Sequence, residues 1–203
     1  MKMNVKIIGI GGCGRNILNR LIDIGFDPDM VVYMDTAREV GPFKSDNFVQ
    51  LGKSIFKGLG TGNNPNGGRV AAEMTEGEIV EAMKGADTVI LLAGLAGGTG
   101  GGAIPFIASL ALDYIGAKTI AIVTMPPNII TPIGAVEGKK SQERAEKALT
   151  NLREVLDEEN IHVIPTKGTL ATNVPRCLPG RTSESSLEFF QALPRTHIFH
   201  CRY

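Results

Sequence analysis

Tryptophan is absent from this chain of 203 residues, and aromatic side chains make up only 5% of it. A core must therefore be assembled from aliphatic residues, and with 43% of the chain hydrophobic there is enough material for one domain, or one domain with an appendage. Charge of one sign is lacking too. Lys plus Arg and Asp plus Glu stand at 21 each, so no basic field marks the chain for nucleic acid or an anionic membrane surface. Cysteine is scarce: Cys13, Cys177 and Cys201 form an odd, scattered set without metal-ligand spacing, which predicts a reducing compartment rather than a disulfide scaffold. With His present only 3 times, machinery for general acid–base catalysis is thin. The ligand types in His197-Ile198-Phe199-His200-Cys201 lack the pattern of a metal site, and none is predicted. No apolar run reaches a membrane span, and Met1-Lys2-Met3-Asn4-Val5 leads into a strand pattern without signal-peptide character. The expectation is a cytoplasmic protein with no direct membrane insertion.

Glycine, by contrast, is plentiful at 25 residues, and its placement carries the information. Gly97-Gly98-Thr99-Gly100-Gly101-Gly102 lies between an apolar run, Val89 to Ala93, and a helix predicted to begin near Ile104. Such a turn lets successive backbone N–H groups face one centre while the following helix adds the positive end of its dipole, which is a phosphate cradle. A flexible linker is the blander reading, but linkers are seldom clamped between a buried strand and an apolar helix. Two further glycine turns occur, at Gly9 to Gly14 and at Gly58-Leu59-Gly60-Thr61-Gly62-Asn63.

Periodicity supplies the frame. Val5 to Ile8, Met30 to Met34, Thr88 to Ala93, Lys118 to Thr124 and Ile161 to Ile164 read as strands. Asn16 to Ile24, Gly68 to Lys84, Ala103 to Ile115 and Glu137 to Leu156 read as helices. Five strands alternating with helices predict an α/β fold with a doubly wound, mostly parallel sheet, whose ligands bind beyond the carboxyl ends of the strands. After Pro165 the texture changes to proline-interrupted sequence with one short helical stretch, Ser183 to Leu193. The chain therefore divides into a nucleotide-binding domain, residues 1–165, and an irregular or truncated tail, residues 166–203.

Two nucleotide chemistries fit this frame. Gly9, Gly11 and Gly14 satisfy G-x-G-x-x-G between a strand and a helix, and Asp35 ends the second strand, where an NAD-dependent oxidoreductase places the acid that binds its ribose. A dinucleotide, however, needs one glycine turn, whereas three at one sheet edge suit a nucleoside triphosphate.

The three turns also carry a family resemblance. Ile8-Gly9-Ile10-Gly11-Gly12-Cys13-Gly14-Arg15-Asn16, Gly58 to Pro65 and Gly94 to Ala103 resemble, in order, the nucleotide loops of the FtsZ and tubulin family. The run from Gly97 to Gly102 is similar to its signature G-G-T-G-[ST]-G, with Gly101 at the Ser/Thr position, and Glu137-Gly138-Lys139-Lys140 and Val163-Ile164-Pro165 extend the match to about residue 165. The resemblance implies a Rossmann-like GTPase domain that binds GTP or GDP, with Mg2+ as an accompanying ion. By the same resemblance, Gly11, Gly12, Cys13 and Asn16 approach the nucleotide, Asn16 by its amide to the base. Gly97, Gly98, Thr99 and Gly100 hold the phosphates, Gly60, Thr61 and Gly62 lie near the γ-phosphate, and Glu137 accepts a ribose hydroxyl. On sequence alone Asn16 reads equally as a helix cap, and Glu137 as a dipole partner.

Implied partners are guanine nucleotide and like subunits, or a full-length relative, in a filament serving cell division or cell shape. Hydrolysis in this family is completed between subunits, and the residues after Pro165 offer no room for the helix, acidic loop and second domain of that arrangement. No catalytic residue is assigned, and turnover by the chain alone is expected to be slow. A regulator that caps filaments of a full-length relative is the alternative within the family. Departures from the family pattern are Ser141 in place of an arginine, Thr166 in place of an asparagine, and Met34-Asp35-Thr36 in place of an Asn-Thr-Asp segment.

Overall fold

A computed structural model of the chain describes residues 3–38, 43, 47–126 and 135–166. A six-stranded sheet, parallel throughout, runs in the order β3-β2-β1-β4-β5-β6. Its strands are β1 (Val5–Ile10), β2 (Val31–Asp35), β3 (Phe48–Gln50), β4 (Thr88–Gly94), β5 (Lys118–Met125) and β6 (Ile161–Pro165). The winding direction reverses between β1 and β4, so the turns that leave these two strands open side by side at the carboxyl edge. The helices are α1 (Gly11–Asp23), α2 (Lys53–Phe56), α3 (Pro65–Glu73), α4 (Glu76–Met83), α5 (Gly98–Ser109) and α6 (Ala135–Arg153).

Two aliphatic cores sandwich the sheet, as the period-2 alternation of strand side chains requires. Ile7, Ile90 and Leu92 join Ile17, Leu18 and Leu21 of α1 on one face. Ile8, Ile10, Val89 and Leu91 join Ile104 and Ile107 of α5 and Ala148 and Leu152 of α6 on the other. All seven residues of β4 are buried, as befits a central parallel strand covered on both sides.

The expectation of an α/β, doubly wound sheet holds. Several boundaries differ from the sequence reading. A sixth strand, β3, pairs with β2 and makes every strand parallel. The helix predicted from Gly68 to Lys84 is broken into α3 and α4, because Thr75 Oγ1 donates to Ala71 O at 2.8 Å and accepts from Gly52 N at 2.8 Å. Helix α1 begins at Gly11 rather than Asn16, and α5 at Gly98 rather than near Ile104. Glycine costs about 1 kcal/mol relative to alanine within a helix, so these starts are imposed by packing around the glycines and not by propensity. The far end of α5 holds Pro105 and passes into a π turn, Leu110–Tyr114. The predicted helix at Ser183 to Leu193 and the rest of the tail lie outside the described residues.

Candidate functional site

The three glycine turns meet. Gly11 sits at φ +71, a left-handed backbone, and a Cβ there would lie 3.1 Å from Gly100 N and 3.5 Å from Thr99 Cβ. A Cβ on Gly100 would lie 2.7 Å from Gly94 O and 3.2 Å from Ile10 O, so the exits of β1 and β4 approach each other at backbone distance. A Cβ on Gly98 would fall 2.1 Å from Thr61 Oγ1 and 2.6 Å from Asn64 N, which brings the third turn to the same spot. Other glycines in the run serve helix packing. Added side-chain carbon would meet Pro65 O at 1.9 Å from Gly102, so α3 and α5 cross this closely only because that position is bare, and Leu95 O at 2.2 Å from Gly101, so the turn before α5 folds back on a second bare position. Those contacts exclude the linker reading of residues 97–102.

What the turns present is backbone N–H. Helix α1 starts at Gly11 after Ile10, with no side-chain cap and no acid in its first turn. Helix α5 starts after Gly97 in the same uncapped way. The first four N–H groups of a helix have no partner within it, and the dipole adds partial positive charge at the same place. Two such ends aimed at one site favour an anion. Helix α3 differs, since Asn64 caps it by accepting from Asn66 N at 3.0 Å and Pro65 occupies its first turn.

Individual residues take the following places. Gly12 and Cys13 are half-buried in the first turn of α1, with the Cys13 sulfur 3.4 Å from Thr124 Oγ1. Asn16 is exposed and lies inside α1, so it is not a helix cap; its Oδ1 accepts from Nε and Nη2 of Arg15 at 3.3 and 3.0 Å. Gly60, Thr61 and Gly62 form the turn before α3, joined to the segment after β2 by Arg38 N donating to Gly58 O at 3.0 Å. Thr99 is buried and its hydroxyl pairs with Thr36 Oγ1 at 2.7 Å. Glu137 is in the first turn of α6, and its side chain lies outside the described residues. Ser141 Oγ accepts from Arg144 Nη2 at 2.9 Å, and Arg144 Nε donates to Ala96 O at 3.1 Å.

Asp35, the acid on which an NAD reading depends, is only 4% exposed. Its carboxylate accepts from the Tyr33 hydroxyl, from Thr36 N at 2.7 Å and from Ala37 N at 3.3 Å. These protein donors occupy the oxygens a ribose would need. Burial, reinforced by the neighbouring Asp35 carboxylate, pushes the Tyr33 hydroxyl far above its ordinary pKa, while the Arg15 guanidinium pulls the other way. The sequence reading missed Thr36 and Arg144. Thr36 entered only as part of a departure from the family pattern, and the contacts that give the two residues their place, Thr36 with Thr99 and Arg144 with Ala96, are distant in the chain.

Among the described residues no group of three His, Cys, Asp or Glu side chains is placed to hold a metal ion, and no helix is long and apolar enough to cross a membrane. A groove of about 380 Å³ lined by Gln50, Gly52, Lys53, Met74, Thr75 and Glu78 lies beside α2 and α4 and shares no residue with the three turns.

Comparison with known proteins agrees with this geometry. The model of the Tubulin/FtsZ family GTPase domain matches residues 4–161. The chain belongs to the Tubulin/FtsZ family. Cell division protein FtsZ 1 of Thermococcus kodakarensis is 36% identical over 178 residues, 86% of this chain and 45% of that protein. The FtsZ 1 of Pyrococcus horikoshii is 37% identical over 166 residues, covering 81% and 42%. The chain thus spans less than half the length of these FtsZ relatives. A solved FtsZ dimer from M. jannaschii superimposes with a TM-score of 0.71 at 33% identity, over 81% of this chain and 46% of that one. The GTPγS-bound CetZ2 protofilament of Haloferax volcanii, at 21% identity and a TM-score of 0.66 over 84% and 52%, shares the fold.

Proposed function

We propose that residues 1–165 form a unit that binds GTP or GDP and supplies the nucleotide-bearing face of a filament subunit. The observation that carries this reading is the meeting of two uncapped helix starts, α1 and α5, with the Thr61 turn. Backbone N–H groups of Gly11, Gly12, Cys13, Gly98, Thr99 and Gly100 cradle the phosphates, while Gly97, whose own N–H donates to Gly94 O, shapes the turn beneath them; each helix end contributes roughly 0.3–1 kcal/mol toward a bound anion. Gly60, Thr61 and Gly62 lie where the γ-phosphate would extend. Asn16 reaches the base and Glu137 the ribose, as the family resemblance implies. Mg2+ would be held through phosphate oxygens and water, since the described residues offer it no cluster of acids.

Hydrolysis requires water to be oriented in line with the γ-phosphorus. Asp35, the acid at the end of β2, is fully engaged by protein donors. As the family resemblance implies, the orienting group comes from a second face, supplied by a like subunit or a full-length relative, and turnover by this unit alone is slow. FtsZ 1 relatives are named as cell division proteins, and a related CetZ2 was solved as a protofilament; these support a cytoskeletal role in cell division or cell shape in the cytoplasm. One face without the other also suits a subunit that ends a filament, and capping is the alternative within this reading.

The test is a titration of the purified chain with GTP, ATP and NAD in the presence of magnesium. GTP is expected to bind most tightly; tighter NAD binding would restore the oxidoreductase reading, and no binding at all would leave a scaffold. Mixing the chain with a full-length FtsZ relative and following turnover and pelleting separates the two filament roles: shorter polymer indicates capping, and unchanged assembly removes it.

A further inference from the structure

Arg144 lies on α6, far along the chain from the glycine turns, yet its side chain reaches the entry of α5. Nε donates to Ala96 O at 3.1 Å, and Nη2 is braced by Ser141 Oγ at 2.9 Å, one helical turn back. Ala96 is buried and directly precedes Gly97. On the other side of the same peptide, Gly97 N donates to Gly94 O at 3.3 Å. A peptide unit is a rigid plane, so holding its carbonyl from α6 and its amide from β4 fixes the direction in which the chain enters Gly97, and the extended torsions of Gly97, φ −76 and ψ 152, carry that orientation into α5. The N–H groups that follow, at the uncapped start of α5, inherit that direction. The guanidinium also places a permanent positive charge beside the turn.

We propose that Arg144, braced by Ser141, is the positioning residue of the phosphate-binding turn, and that affinity for the polyphosphate depends on it. This rests on the nucleotide reading above. The role is distinct from general support of the fold because it concerns phosphate and charge: a group that aligns amides and contributes charge near a triphosphate should matter for GTP and not for guanosine.

The test compares wild type with Arg144→Gln, Arg144→Lys and Ser141→Ala, measuring competitive binding of GTP and of guanosine over a range of salt concentrations. Arg144→Gln is expected to weaken GTP about tenfold, the scale of a lost charge-assisted hydrogen bond, with guanosine unchanged and a shallower salt dependence of GTP affinity. Arg144→Lys recovers the salt dependence and part of the affinity; Ser141→Ala gives a smaller loss, for GTP alone. If Arg144→Gln does not fold, the Ser141→Ala and Arg144→Lys measurements decide. Equal losses for GTP and guanosine, or GTP binding and salt slope unaltered in the variants, overturn the proposal while leaving the nucleotide reading standing. A wild-type chain that binds no guanine nucleotide overturns both.

Discussion

Helices α3 and α5 cross in close contact and begin within a few ångströms of each other, yet they begin in opposite ways. Asn64 turns its side chain back to accept from Asn66 N, and Pro65 fills the first turn of α3. Gly97 stands at the equivalent position of α5 and has no side chain to turn back. The first arrangement satisfies the helix from within; the second leaves its amides for something else. Helix α1 repeats the second arrangement at Ile10, whose side chain has no oxygen to offer. Capping is therefore withheld from the helix starts at the switch point of the sheet and supplied to their neighbour.

The sharpest way to break this contrast is to give α5 the cap it lacks. Gly97 has φ −76 and ψ 152, open to any residue, and a Cβ there would meet only Gly94 O at 3.5 Å. Gly97→Asp is expected to raise the melting temperature of the unliganded chain, since a cap contributes about 1 kcal/mol. Its carboxylate would also occupy the phosphate amides and lower GTP affinity by at least about a hundredfold, roughly 2.7 kcal/mol; calorimetric titration and thermal unfolding of the same sample check both halves.

Gly101→Ser restores the commoner family residue and should nonetheless harm this chain, because a Cβ there would sit 2.2 Å from Leu95 O and 3.3 Å from Ala148 Cβ. Overpacking of this kind costs about 1–3 kcal/mol, read as a lower denaturation midpoint in urea. The mirror of the first variant is Asn64→Ala. It removes the α3 cap, is expected to cost about 1 kcal/mol of stability, and should leave GTP affinity within twofold; a larger loss of binding would show that the two helix starts are not separate in function.

The smallest effect concerns pH. The folded chain holds the Tyr33 proton more tightly than the unfolded chain does, so the stabilisation is complete below pH about 10 and declines as pH rises beyond it. Asp35 and Arg15 face that hydroxyl with opposing influence. Tyr33→Phe should cost about 1 kcal/mol at neutral pH through the lost bond to Asp35, and should unfold with a flatter dependence on pH above 10 than wild type.

Much of this was legible in the sequence, because apolar runs bounded by glycine state both strand and turn. Strands β1, β4 and β5 are long enough to announce themselves, and the three turns that follow or face them are spaced as one edge requires. Strand β3 is three residues with a partly exposed Phe48, too short for any periodicity. The break at Thr75 has no proline to mark it, the nearby Gly77 lies inside α4, and the break depends on a bond from Gly52, distant in the chain. The helix starts at Gly11 and Gly98 were hidden because glycine reads as turn until its neighbours in space are known. Asp35 stands at a strand end, where the NAD alternative would place a ribose-binding acid, whereas its spacing of two from Tyr33 puts both on one face, where the phenol claims it.

The hydroxyl pair of Thr36 and Thr99 has a further consequence. Either oxygen can donate across the 2.7 Å between them, and Thr36 Oγ1 also lies 3.4 Å from Asp35 Oδ1. If an incoming anion takes the Thr99 proton, Thr36 must reverse and donate to Thr99, giving up its weaker link to the carboxylate. Arrival of a ligand at one strand's exit is thereby registered at the exit of another as a change of proton direction, with no heavy atom obliged to move.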